Sequence, residues 1–226
     1  MTLVLCMCIG TAFADQTITV TGTGEVLIPA DTAIVSIGVS VRDKEVLKAQ
    51  ERVNIAIEAI RNALIENNVR QENINTDYVN IYAYYNYEKD SETVEAYNAS
   101  STLAVKVTDV KQVGRIIDIA FQNGANTLDG ISFFAENDEE AKNEAMKLAV
   151  KNAREKAEVL AEAAGVTLNG IEEIAEGNTY SFDRGVVNNF GMVKAAGVTN
   201  DSVETYVQSA KLTVSSQVTI IYNFSD

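Results

Sequence analysis

Hydrophobic residues recur along this chain at two spacings, and the switches between them mark out its elements. Between Thr17 and Val41, Ile18, Val20, Ala33, Val35, Ile37, Val39 and Val41 alternate with small or polar residues, the period of a sheet with one buried face. Gly22-Thr23-Gly24 and the only proline, Pro29, interrupt this stretch. It therefore predicts two strands, with a bulge or bend at the glycine pair. The spacing then lengthens to three and four at Val46, Leu47, Val53, Ile57, Ile60 and Leu64, predicting a helix over about 44–67 that Asp43 caps and Asn67-Asn68 ends.

Two further strands, about 78–88 and 97–107, flank the polar turn 89–92 and predict a hairpin. A second helix over about 109–123 carries Val113, Ile116, Ile117, Ala120 and Phe121 as its stripe, with Gly124 as the stop. A strand at 130–134 leads to the longest helix, 138–164. Its inward face reads Ala141, Ala145, Ala149, Ala153, Ala157, Ala161 and Ala164, with Leu148 and Leu160. Alanine is the strongest helix former, and a face of small side chains lets a helix lie close to its neighbour. Strands at 171–176 and 210–224 complete the pattern. Between them 177–209 is rich in Gly, Asn and Ser, and it reads as a long loop, either a binding loop or flap or a segment without fixed structure. The fold class is α+β: strand-helix-strand units forming mainly antiparallel sheet, packed by three helices of which the longest is alanine-rich.

The first fourteen residues do not belong to this pattern. They carry no charge, run apolar from Leu3 to Ile9 and end in Ala12-Phe13-Ala14, the small-x-small form of a signal-peptidase site. The expectation is a signal peptide over 1–14, short of its usual basic start, followed by a domain over 15–226. Both cysteines, Cys6 and Cys8, fall inside the leader, so the exported chain would have no disulfide. No other stretch is apolar enough for a membrane-spanning helix. Against 18 Lys and Arg stand 32 Asp and Glu, a formal net charge of -14. That sign repels phosphate backbones, so nucleic acid is not an expected partner.

Candidate chemistry is sparse. The chain has no histidine, which removes the commonest general base and a principal zinc ligand. Gly22-Thr23-Gly24 lacks the third glycine of a phosphate cradle, and the acidic run 136–140 lacks the ligand alternation of a calcium loop. No catalytic, cofactor or metal residue is therefore assigned. Paired carboxylates would still allow a hydrolase acting on an envelope polymer, and this stays as the alternative reading. The distinctive feature is Tyr78, Tyr82, Tyr84, Tyr85 and Tyr87, which alternation places on both faces of one strand. Tyrosine joins apolar area to a hydroxyl, so these residues form a candidate interface, with ordinary cross-strand packing as the competing explanation.

Several stretches, in this order and spacing, resemble the SIMPL-domain family: Val20-Thr-Gly-Thr-Gly-Glu-Val26 with Pro29-Ala-Asp31, Asn73-Ile-Asn-Thr76, Gly124-Ala-Asn126 leading to Gly130-Ile-Ser-Phe133, and Ala153-Arg-Glu-Lys-Ala157 running to Ala161-Glu-Ala-Ala-Gly165. The resemblance spans about 17–224. It implies an α+β fold, export to the periplasm or beyond, and no established catalytic residues. It also implies relatives that are immunogenic or linked to oxidative-stress defence, one of which forms a large ring-like oligomer. The combined expectation is a non-catalytic envelope protein, a homo-oligomer or a binder of an unnamed ligand.

Overall fold

The structure is a computed structural model, and it describes residues 16–86, 93–183, 205–208 and 211–226. The expected leader, Tyr87, the turn at 89–92 and most of 177–209 lie outside the described residues. In chain order the elements are β1 (Thr17–Pro29), β2 (Thr32–Asp43), α1 (Val46–Glu66), β3 (Ile74–Asn86), β4 (Thr93–Val107), α2 (Val113–Gln122), β5 (Thr127–Phe134), α3 (Glu139–Ala164), β6 (Thr167–Glu176), β7 (Tyr180–Asp183) and β8 (Lys211–Ser225). The fold is α+β. Among the described residues there are two four-stranded sheets, one ordered β1-β8-β6 with β7 also on β8, the other β3-β4-β2-β5. The chain divides into two compact units, which are taken in turn.

The larger unit comprises Leu27–Asp138 and Ser181–Thr213. In its sheet β2 pairs antiparallel with both β4 and β5, and β3 pairs antiparallel with β4. The period of two decides which face is dry. Ala33, Val35, Ile37 and Val39 of β2 lie beside Val107, Val105, Leu103 and Ser101 of β4. Against that face pack Ala49, Val53, Ile60 and Leu64 of α1 together with Val113, Ile116 and Ile117 of α2. Each fully buried Val, Leu or Ile contributes about 1.5–3 kcal/mol, so this single layer carries most of the unit's stability. Leu47 and Phe121, expected on the apolar stripes, are instead 74% and 43% exposed. A helix on a sheet buries a narrower arc than its full apolar stripe, and these two residues sit at the margin.

Asp43 acts just ahead of α1 rather than as its cap: its carboxylate accepts from the Glu45 N–H at 3.0 Å, and the cap position is Glu45. At the other end Asn68 has φ +68°, and the Val69 N–H returns to the Leu64 carbonyl at 3.0 Å. A left-handed residue costs roughly 1–2 kcal/mol when it carries a branched Cβ. Asn68→Val should therefore lower the unfolding free energy by about that amount while Asn68→Gly leaves it level or raised, as urea titration would register.

The smaller unit comprises the described part of Met1–Val26 with Glu139–Tyr180 and Val214–Asp226. Its core is built from small side chains. Ala149, Ala153 and Ala157 of α3 are fully buried with Val20, Val218, Ile220 and Tyr222. The glycine pair does not break β1, which runs unbroken through both residues. A Cβ on Gly22 would stand 2.0 Å from the Ala149 carbonyl oxygen, and one on Gly24 2.1 Å from that of Ala145. The glycines are there because the helix backbone lies directly on the strand, a close approach that needs alanine on one side and hydrogen on the other. Two backbone groups of this end strand are met by α3 side chains: Lys156 Nζ donates to the Thr21 carbonyl at 2.7 Å, and the Thr23 N–H donates to Asn152 Oδ1 at 3.1 Å. Leu148, Leu160 and Ala164, expected inward, are exposed, because only the every-fourth-residue line from Ala141 to Ala161 faces the sheet.

Candidate interaction site

Among the described residues the tyrosine strand is the end strand of the larger unit's sheet. An end strand leaves one row of backbone donors and acceptors open to another chain. Ile74 and Thr76 pair with Val105 and Leu103, on the face that α1 and α2 cover. The register then shifts between Thr76 and Tyr78, one extra residue entering β3 at Asp77. A shift of one residue exchanges the faces of everything after it. Tyr78, Tyr82 and Tyr84 consequently lie opposite Thr102, Asn98 and Ala96, on the sheet face turned away from the helices. Val79 and Ile81 take the helix-side face beyond the helices' cover and are 63% and 37% exposed.

The four described tyrosines are open to solvent: Tyr78 53%, Tyr82 50%, Tyr84 41% and Tyr85 37%. The register shifts again between Tyr84 and Tyr85, which lies beside Val94, while Tyr87 lies outside the described residues. Around them, the Arg42 guanidinium sits 4.0 Å over the Tyr84 ring, a cation–π contact worth roughly 0.5–1 kcal/mol at an exposed site. Asn98 donates to the Ser40 hydroxyl at 3.2 Å, and Thr102 donates to Asp129 at 2.7 Å. These bonds fix the strands beneath the rings. Sequence reasoning found the tyrosines from their density. It missed Arg42, which the pairing of β2 with β4 brings over Tyr84, and it missed Val79 and Ile81, which the bulge at Asp77 leaves exposed on the opposite face of the same strand.

A polar cleft of about 340 Å³ lies elsewhere in the same unit and gathers Arg70, Lys106 and Arg115. Its cations already have partners: Arg70 meets Glu72 and Lys106 meets Glu136, each at 2.7 Å, and Arg115 donates to Asn67 at 3.1 Å. Charge titration also belongs to structural contacts. The Glu45 N–H, with Lys48 and Arg52 nearby, holds the Asp43 carboxyl below its ordinary range, and the Glu158 carboxylate raises Arg154. Among the described residues no group of three or more His, Cys, Asp or Glu is placed to hold a metal ion. No helix among them is long and apolar enough to cross a membrane.

The SIMPL family profile, a protein family of unknown function (DUF541), matches residues 18–222. This chain belongs to the SIMPL family. Among its relatives, the 26 kDa periplasmic immunogenic protein of Brucella melitensis is 32% identical over 164 residues, covering 70% of this chain and 66% of the relative. The match thus spans slightly less than two thirds of that protein's length. The uncharacterized protein YggE of Escherichia coli K12 is 25% identical over 211 residues, covering 91% of this SIMPL chain and 82% of YggE. YggE of Edwardsiella ictaluri is 24% identical over 154 residues, covering 68% of this chain and 64% of the relative.

Proposed function

We propose that this SIMPL protein is an exported, non-catalytic component of the cell envelope that works by self-assembly through the β3 edge. The observation that carries the reading is a run of half-exposed tyrosines, with Val79 and Ile81, on a strand that ends its sheet among the described residues. Aromatic residues are the side chains most enriched where proteins associate. Export is supported by the apolar leader with its Ala12-Phe13-Ala14 end and by a relative whose name places it in the periplasm. Any contribution to oxidative-stress defence would be indirect, since the chain downstream of that leader has no thiol.

Light scattering on purified protein beginning at Asp15 tests the proposal. The expected result is a particle larger than a monomer at micromolar concentration. Tyr82→Lys/Tyr84→Lys, which places charge on the outward face without touching the core, should raise the concentration at which it dissociates by about 10-fold or more, the effect of losing a 1–3 kcal/mol contact. Its melting temperature should stay within a few degrees of the parent. A parent that remains monomeric across salt and concentration would refute the assembly reading.

A further inference from the structure

In a chain of net charge -14, the polar cleft of about 340 Å³ in the larger unit has a wall poor in acid. Asp109 is the one carboxylate among its lining residues, and its Oδ1 accepts from the Lys111 N–H at 3.1 Å. Glu72 and Glu136, the carboxylates that meet Arg70 and Lys106, do not line it. The three cations differ in what they offer the cleft. Lys106 stands between Val105 and Val107, which face the helices, so alternation turns its side chain to the other sheet face, where its ammonium meets Glu136. It is not counted as a ligand. The Arg70 and Glu72 side chains are 63% and 70% exposed. An ion pair that open to water is weakly held, and it leaves other guanidinium donors free.

Arg115 is held in another way. Its Nη2 donates to Asn67 Oδ1 at 3.1 Å, and Nδ2 of the same Asn67 donates to the Ala63 carbonyl of α1 at 2.9 Å. A neutral amide tied to helix backbone thus orients the guanidinium without neutralising it. Among the described residues no carboxylate meets Arg115. Amide donors stand in the same wall: the half-buried Asn73 side chain and that of Gln112 have no hydrogen-bond partner among the described residues. A guanidinium carries five N–H donors and no acceptor, and its fork matches the oxygens of a carboxylate or a phosphate two at a time. The volume sits at the small end of the range for ligand clefts, about 300–1,000 Å³. We propose that this cleft binds a small oxyanion, a phosphate or a dicarboxylate, with Arg115 as its anchor. Arg70 supplies the second cation, the Asn73 and Gln112 amides supply neutral donors, and Asn67 is a positioning residue that fixes Arg115. The proposal does not rest on assembly through β3, because one copy of the chain supplies every residue it names.

Calorimetric titration of the purified protein at fixed ionic strength tests it, with inorganic phosphate, succinate and acetate as probes. The expected result is saturable binding of phosphate or succinate, about 10-fold or more tighter than that of acetate, which carries a single charge. Phosphate alone would assign a phosphate-bearing ligand, and succinate alone a dicarboxylate. Arg115→Gln should weaken binding by about 10-fold or more, the effect of removing one charge-assisted contact. Arg70→Gln should weaken it several-fold. Lys48→Gln removes the same charge from α1 at a residue outside the cleft, and it should leave the affinity level. Asn67→Asp keeps an acceptor for Arg115 but adds the counter-charge that the wall lacks, so binding should fall with the fold intact by circular dichroism. No saturable binding of phosphate or succinate at tens of millimolar would overturn the proposal. So would an affinity untouched by Arg115→Gln, or one lowered equally by Lys48→Gln.

Discussion

Valine in place of Gly22 is expected to abolish the native packing of α3 on its sheet. The added Cβ would lie 2.0 Å from the Ala149 carbonyl oxygen and 2.6 Å from the Ala153 amide nitrogen. Both are backbone atoms, so no rotamer change can relieve the overlap. The strand or the helix must move as a body, and that separates the buried alanines from Val20, Val218 and Ile220. Overpacking a core typically costs about 1–3 kcal/mol when side chains can yield. Where only backbone can yield, the loss should exceed about 4 kcal/mol, the exceptional end of single-mutation effects. Hydrogen exchange should then show α3 amides losing their protection. Gly24→Val should do the same against Ala145 and Ala149, and because both substitutions displace one helix the double variant should cost less than the sum. Gly130→Ala and Gly170→Ala, where an added Cβ meets nothing within 4 Å, should change stability by no more than about 0.5 kcal/mol. Equal effects at Gly22 and Gly130 would show that α3 is not seated as described.

Leu103→Ala should produce the second large loss, in the other unit. Leu103 is fully buried in β4, one of the sheet's two interior strands, beside Ile37 on one neighbour and Thr76 on the other. Removing its side chain leaves a void between two strands and the helices above them, and the paired strands cannot collapse sideways into it. Large-to-alanine changes at such sites cost about 2–5 kcal/mol, the upper part of the range applying where relaxation is poor. Urea unfolding should move to lower denaturant with its slope unchanged. Val79→Ala, on the same sheet but 63% exposed, should leave the midpoint close to the parent's. A cost below about 1 kcal/mol for Leu103→Ala would contradict the burial of this face.

Much of this architecture could be read before any coordinates. The period-two run Ala33 to Val41 became the central strand β2, the longer period over 46–64 became α1, and the alanine line became the buried face of α3. These patterns are local records of one-sided burial, and a period survives in the sequence whatever the partner is. Asn68 was legible for the same reason: a left-handed helix end selects its residue type locally. Element limits were less visible. β3 begins at Ile74 rather than Tyr78, and β7 falls within the stretch read as loop, because pairing can extend or create a strand wherever a neighbour supplies hydrogen bonds, with little help from side-chain pattern.

The candidate surface divides along the same line. The α+β class, the dense tyrosines of one strand, the absence of histidine and the small-residue face of the long helix follow from residue type and spacing within single segments. Three features depend on the folded chain: the Gly22 and Gly24 pair seats a helix instead of bending a strand, Asp77 turns Tyr78, Tyr82 and Tyr84 away from the helices, and Gly114 and Asp118 receive Thr205. Each of those three depends on which backbone passes within a few ångströms of another far along the chain, and such a distance leaves no periodic trace in either segment.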